Sequence, residues 1–138
     1  MANKFQLEVV TPSKQVVSEE VELASVPGGE GAFGVMANHA PLLSTLATGE
    51  MRYEVDGQIT RLAISGGFCE VSNNVMTVLA ESAEKTDDID VQRALKAKER
   101  AEKRIQEALA GQEKVDLARA RAALSRALAR LKLAGHDV

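Results

Sequence analysis

Apolar residues recur at every second position up to about Leu79 and at every third or fourth position after about residue 86. A strand shows one period and a helix the other, so this chain must change architecture partway along. "FQLEVV" alternates at Phe5, Leu7 and Val9, and "EEVELASV" continues the alternation at Val21, Leu23 and Ser25. "EMRYEVDGQITRLAIS" reads as a hairpin, with Met51, Tyr53 and Val55 before the Asp56-Gly57 turn and Ile59, Leu62 and Ile64 after it. "GGFCEVSNNVMTVLAE" reads as another, turning at Asn73-Asn74. Pro12, Pro27 and the glycines 28, 29, 31 and 34 interrupt the pattern and read as turn residues. Short strands with no helices between them predict a small antiparallel sandwich or flattened barrel.

"TDDIDVQRALKAKERAEKRIQEAL" contains neither proline nor glycine and is rich in Ala, Lys, Arg and Glu, which favours a helix. Asp87 and Asp90 approximate its N-terminal capping pattern, with Thr86 a competing cap, and Gly111 ends it. "KVDLARARAALSRALARLKLAG", beginning at Lys114, forms a second helix that stops at Gly135. The apolar lines are Ala94, Ala97, Ala101, Ile105 and Ala108 on the first helix, and Leu117, Ala120, Leu124, Ala127/Leu128 and Leu131 on the second. The fold class is therefore α+β: an N-terminal antiparallel β-sandwich over residues 1–86, then a C-terminal antiparallel two-helix hairpin over residues 87–138. An alanine seam lets helices approach closely but removes little apolar area from water, at ~25 cal/mol per Å². The hairpin reads either as a detachable appendage or as a permanent closure of the sheet.

Composition excludes several functions. Aromatic residues are 3% of the chain and Trp is absent, which disfavours base-stacking surfaces. The net charge of −3 argues against nucleic acid as a partner, although the charge is uneven. Residues 1–86 hold 5 Lys/Arg against 11 Asp/Glu, and residues 87–138 hold 12 against 9. Cys69 is the single cysteine and reads as a small buried hydrophobe, so disulfides and thiolate metal clusters are not expected. No apolar run approaches the ~18 residues of a membrane span. His39 lacks a triad-like setting, and His136 falls in a tail expected to fray. "GGEGAFG" lacks the Lys-Ser/Thr that a phosphate loop requires. Neither catalytic residues nor a metal site are expected.

The arginines carry more information. Arg93, Lys96, Arg100 and Arg104 share one face of the first helix by their spacing, and Arg119, Arg126 and Arg130 share one on the second. Such faces suit a phosphate-rich ligand or an acidic protein surface. The bland alternative is a solvated face with local ion pairs such as Glu99–Lys103.

Across essentially its whole length the sequence resembles the epsilon-subunit family of bacterial-type ATP synthases. The phrases that carry the likeness are "LEVVTPSKQVVSEEVE", "VPGGEGAFGVMANHAPLLSTLATG", "LAISGGFCEVSNNVMTVLAESAE" and "IDVQRALKAKERA". The resemblance implies a non-catalytic rotor subunit of the central stalk, with no required cofactor. Its sandwich would join the gamma subunit and rest on the c-ring, with Glu30 and His39 at the c-ring surface. Its hairpin would be mobile, folded or extended into the catalytic head. The extended form would inhibit ATP hydrolysis through Arg119, Arg121, Arg126 and Arg130 against the beta and alpha subunits. In members whose folded hairpin binds regulatory ATP, the Ile89–Ala94 motif works with residues that correspond to Glu84, Asp90, Arg93, Arg100, Arg126 and Arg130. The family implies a peripheral place at the cytoplasmic face of the bacterial plasma membrane, or the stromal face of the thylakoid for a chloroplast protein. The rival from another class is a stand-alone ATP-binding sensor.

Overall fold

Alternation becomes burial in the first strand, β1 (Phe5–Val10), where Phe5, Leu7 and Val9 point inward. The strands that follow are β2 (Gln15–Val21), β3 (Leu23–Gly28), β4 (Gly31–Met36), β5 (Leu42–Thr45), β6 (Gly49–Val55), β7 (Gln58–Ser65), β8 (Phe68–Ser72), β9 (Val75–Leu79) and β10 (Ser82–Lys85). They form two five-stranded sheets, ordered β2-β1-β9-β8-β5 and β10-β7-β6-β3-β4. Pairing is antiparallel except between β1 and β9, which run parallel. The computed structural model describes residues 3–112 and 115–136, and the chain divides into two units, residues 1–86 and 87–138.

The sandwich core is aliphatic. Leu7, Met51, Leu62, Ile64 and Met76 are its largest fully enclosed side chains. Both short hairpin turns form as their sequences require. Asp56 and Gly57 have φ of 50° and 81°, and Asn73 and Asn74 have 51° and 63°, the left-handed pairs that match the twist of the flanking strands.

Two expected registers differ. Alternation through Val21, Leu23 and Ser25 does not hold, because β2 and β3 belong to different sheets. The chain changes sheet at Glu22, whose N–H donates to the Glu54 carbonyl, and the inward side switches with it. Leu23 is therefore outward at 38% exposure, while Ala24 and Val26 are buried. Ile59 is likewise 52% exposed, because Met51 and Tyr53 face Leu62 and Thr60, which leaves Ile59 opposite Glu54. Of the four glycines from 28 to 34, only Gly31 has a left-handed φ, 136°. Gly67 is more constrained: a Cβ there would stand 1.9 Å from the Leu79 carbonyl oxygen, so the β7–β8 crossover needs glycine for close backbone approach.

The second unit is the helix pair α1 (Val91–Leu109) and α2 (Leu117–Leu133). Asp90 caps α1, and the Thr86–Asp88 stretch forms a separate 3-10 turn. The expected Asp87 or Thr86 cap is displaced because the Asp90 carboxylate accepts the Arg93 N–H at 3.1 Å and its carbonyl accepts the Ala94 N–H. Lys114, the first residue of the predicted second helical segment, lies outside the described residues. Both helices end in the same Gly motif. Gln112 N–H reaches the Glu107 carbonyl past Gly111, and His136 N–H reaches the Leu131 carbonyl past Gly135. His136 is thus held where fraying was expected.

Cys69 has no exposed surface, and burial pushes its thiol up to about 11. In the unfolded chain it titrates near ~8.5. Its stabilising contribution is therefore complete below that value and is lost as pH rises through about 11. A thiol reagent at neutral pH should label Cys69 only after denaturation, with the folded protein weakening in the alkaline window. Rapid labelling of the native chain would contradict the burial.

Candidate functional site

The hairpin is built on a repeat that sequence reasoning missed. A shift of 26 positions carries Asp90 to Asp116, Arg93 to Arg119, Ala94 to Ala120, Arg100 to Arg126, Ala101 to Ala127 and Arg104 to Arg130. The structure treats the copies alike. Asp116 caps α2 by accepting the Arg119 N–H at 3.1 Å, the same bond that Asp90 makes on α1. Ala94, Ala101, Ala120 and Ala127 are all buried, and Leu131 joins them at 0% exposure.

Each buried alanine of the repeat has an arginine immediately before it. At ~100° per residue, Arg93, Arg100 and Arg104 lie in one stripe beside the α1 seam, and Arg119, Arg126 and Arg130 lie in the matching stripe beside the α2 seam. Burial of the same repeat positions on both helices means that an antiparallel pairing relates them as a pseudo-twofold about an axis perpendicular to their common plane would, and such an axis puts both stripes on one face. Arg93, Arg100, Arg104 and Arg119 are exposed, and Arg126 and Arg130 are half-buried. Among the described residues, no ion pair within 4.0 Å engages Arg93, Arg100, Arg104, Arg119 or Arg126. The expected Glu99–Lys103 pair is not formed by the same measure.

The structure therefore unites part of each predicted set. Arg93, Arg100, Arg126 and Arg130 share the face, and Asp90 lies at its end with its carboxylate on the Arg93 backbone rather than on the guanidinium. Glu84 belongs to the other unit, on edge strand β10 opposite Ala63. Of the predicted inhibitory residues, Arg119, Arg126 and Arg130 lie together. Arg121, two residues and ~200° further round from Arg119, points to the opposite side. Arg104 belongs with the face, as its spacing from Arg100 requires, although neither predicted set included it.

In the sandwich, Glu30 lies at the tip of the β3–β4 hairpin and His39 lies in the β4–β5 connection. The six residues of β4 separate them, roughly 20 Å at ~3.4 Å each. They do not touch, but they flank the same side of the sandwich, where β4 and β5 are the free edges of the two sheets. The His39 Nδ1–H donates to the Ala40 carbonyl at 2.6 Å, which ties the ring to its own loop. Glu30 is the only Asp, Glu, Lys or Arg between Leu23 and Gly49, so this side is nearly uncharged. The opposite edges, β2 and β10, carry Glu19, Glu20, Glu84 and Lys85. Charges on an edge strand deter pairing with another chain, and their absence permits contact.

A second surface was not legible from the sequence. On the outer face of the β1-containing sheet, Phe68 and Leu79 pair directly across β8 and β9 and are 54% and 52% exposed. Leu43, on the same sheet, is 70% exposed. A cavity of about 470 Å³ lined by Glu19, Tyr53, Val55, Asp56, Gln58 and Thr60 contains none of the predicted residues. Burial raises the Tyr53 phenol there, and its hydrogen bond to the Glu19 carboxylate raises it further. No group of three or more His, Cys, Asp or Glu among the described residues is arranged to hold a metal. No helix there is long and apolar enough to cross a membrane.

Both units match known families. The model for the ATP synthase, Delta/Epsilon chain, beta-sandwich domain, matches residues 4–86, and that for the long alpha-helix domain matches residues 87–135. An ATP synthase epsilon chain of Nitratidesulfovibrio vulgaris (strain DP4) is 52% identical over 136 residues, covering 99% of each chain. The epsilon chain of Desulfitobacterium hafniense (strain Y51) is 48% identical over 97% of this chain and 98% of that one. Among solved structures, a chain of the Euglena gracilis mitochondrial ATP synthase, OSCP/F1/c-ring in rotational state 1, aligns with a TM-score of 0.80. It is 26% identical, over 96% of this chain and 82% of that one.

Because Asp90 and Asp116 make the same capping bond, Asp90→Ala and Asp116→Ala should each cost about 1 kcal/mol of helix stability. Thermal melting followed at 222 nm would read the loss, with the sandwich unchanged. A silent Asp116→Ala would contradict the equivalence of the two caps.

Proposed function

The chain belongs to the ATP synthase delta/epsilon-chain family, and on that premise we propose that its sandwich docks on the gamma subunit and c-ring while its hairpin restrains ATP hydrolysis. It is a non-catalytic subunit with a rotor-coupling role. The observation that carries the reading is coverage: the family models match residues 4–86 and 87–135, and relatives align end to end. Bacterial relatives favour a peripheral place on the cytoplasmic face of a bacterial plasma membrane over a thylakoid one.

Each surface has a task in this reading. The uncharged β4/β5 side, with Glu30 at one end and His39 at the other, suits the polar loops of a c-ring. The exposed Phe68–Leu79 pair suits a protein interface, since water exclusion there removes two large apolar side chains from solvent. Gamma is its partner. The arginine face has two uses that exclude one another. With the hairpin extended, Arg119, Arg126 and Arg130 engage acidic segments of the beta and alpha subunits and obstruct rotation. With it folded, Asp90 joins Arg93, Arg100, Arg126 and Arg130 around ATP, whose phosphates accept the guanidinium forks. ATP is then a regulatory ligand, and a tenfold preference for the folded form shifts the balance by ~1.4 kcal/mol.

Removing residues 87–138 should raise ATP hydrolysis by the assembled enzyme several-fold. Charge reversal of Arg119, Arg126 and Arg130 together should do the same, more at low salt because exposed charges are screened. Arg121→Glu alone should have little effect, since that side chain points away from the face. Unchanged hydrolysis after truncation would end the inhibitory reading and leave the stalk role standing.

The gamma interface has its own test. Phe68→Glu should weaken gamma binding about tenfold or more, as loss of a central aromatic anchor does, with thermal stability of the free subunit unaltered. Normal gamma binding by this variant would move the interface elsewhere.

A further inference from the structure

The pseudo-twofold axis has a consequence for the ligand. Arg100 lies nine residues before the end of α1 at Leu109, and Arg126 lies nine after the start of α2 at Leu117, so each is the same number of helical residues from the connection. Arg93 and Arg130 lie further from the connecting loop, and Arg104 and Arg119 lie nearer to it. The axis therefore maps the quartet Arg93, Arg100, Arg126 and Arg130 onto Arg119, Arg126, Arg100 and Arg104. Arg100 and Arg126 belong to both quartets.

We propose that Arg104 and Arg119 form a second phosphate-binding half beside this shared pair, so that the face accepts a linear phosphate chain longer than the triphosphate of a nucleotide. The inference rests on the reading that the first half takes the phosphates of ATP. Arg104 and Arg119 are exposed and, among the described residues, engage no carboxylate within 4.0 Å, so their donors are available. Guanidinium forks match phosphate oxygens two at a time, and the strip from Arg93 to Arg119 is roughly 20 Å long at ~1.5 Å per residue. A triphosphate occupies one half, and a longer chain reaches both.

Two positions on this face break the symmetry: Lys96 stands where the repeat has Ala122, which adds a cation to the first half, and the other is acidic. Glu107 stands where the repeat has Leu133. Seven residues beyond Arg100, it falls on the loop side of the same face of α1, where a carboxylate opposes anion binding in the second half. A short ligand therefore prefers the Arg93/Arg130 half, and the second half gains its phosphate only when the chain is already held by the first.

The test uses the full chain in calorimetric titrations at one fixed salt concentration with ATP, tripolyphosphate and a linear polyphosphate long enough to span both halves. The long chain should bind about tenfold tighter than tripolyphosphate. Arg104→Ala with Arg119→Ala should abolish that advantage and leave the tripolyphosphate affinity unchanged, and Glu107→Leu should enlarge the advantage. Lys98→Ala with Lys132→Ala removes equal charge away from the face and should change little. Equal losses in that control, equally tight binding of polyglutamate, or no advantage for the long chain would each overturn the proposal. If ATP and tripolyphosphate fail to bind while the long chain still depends on Arg104 and Arg119, the nucleotide reading falls and the extended strip stands.

Discussion

Two helices can lie close together only where small side chains line their contact, and the hairpin depends on that constraint. Ala94, Ala101, Ala120 and Ala127 are buried along the seam with Leu131. Each methyl-sized group contributes about 0.8 kcal/mol on burial, against about 2 kcal/mol or more for a leucine. The seam fixes which faces meet without binding them strongly. It also fixes the arginines, because a residue next to a buried position on a helix must emerge at the flank of the contact. Charge display and modest cohesion thus share one cause, and both suit an element whose proposed task is to open and close.

The sandwich answers to a different constraint. Its chain changes sheets repeatedly, and each crossing decides anew which side chains face inward. At Glu22 the inward parity switches, and at Gly67 the backbone passes so close to Leu79 that no side chain fits. The sheets end with charged strands on one side and nearly uncharged ones on the other. This polarity leaves one side suited to contact, with Glu30 and His39 at its corners.

The arginine face gathers residues that were assigned to two different tasks. Arg126 and Arg130 were expected both at nucleotide phosphates and at the acidic catalytic head, and the structure supplies a single face for both. An arginine cannot fork onto a phosphate and a carboxylate at once. Competition between ligands for one face is therefore a simpler regulatory device than signalling between separate sites, and it requires only that the hairpin present the face differently in its two forms.

Hydrophobic period, turn dipeptides and helix-stopping glycines were enough to read the α+β class, both short hairpin turns, and the ends of both helices at Gly111 and Gly135. These are local properties, set by backbone geometry within a few residues. The sequence also held the 26-residue repeat, which became meaningful only once both caps and both alanine pairs were found in equivalent positions. Tertiary structure alone decided the rest. Which of Leu23 or Ala24 faces inward depends on which sheet β3 joins, and the choice of Asp90 over Asp87 as cap depends on where the helix begins. The exposure of Phe68 and Leu79 depends on strands that meet across the fold. Periodicity reports that a residue has an apolar side, but only the packed partner determines whether that side is covered.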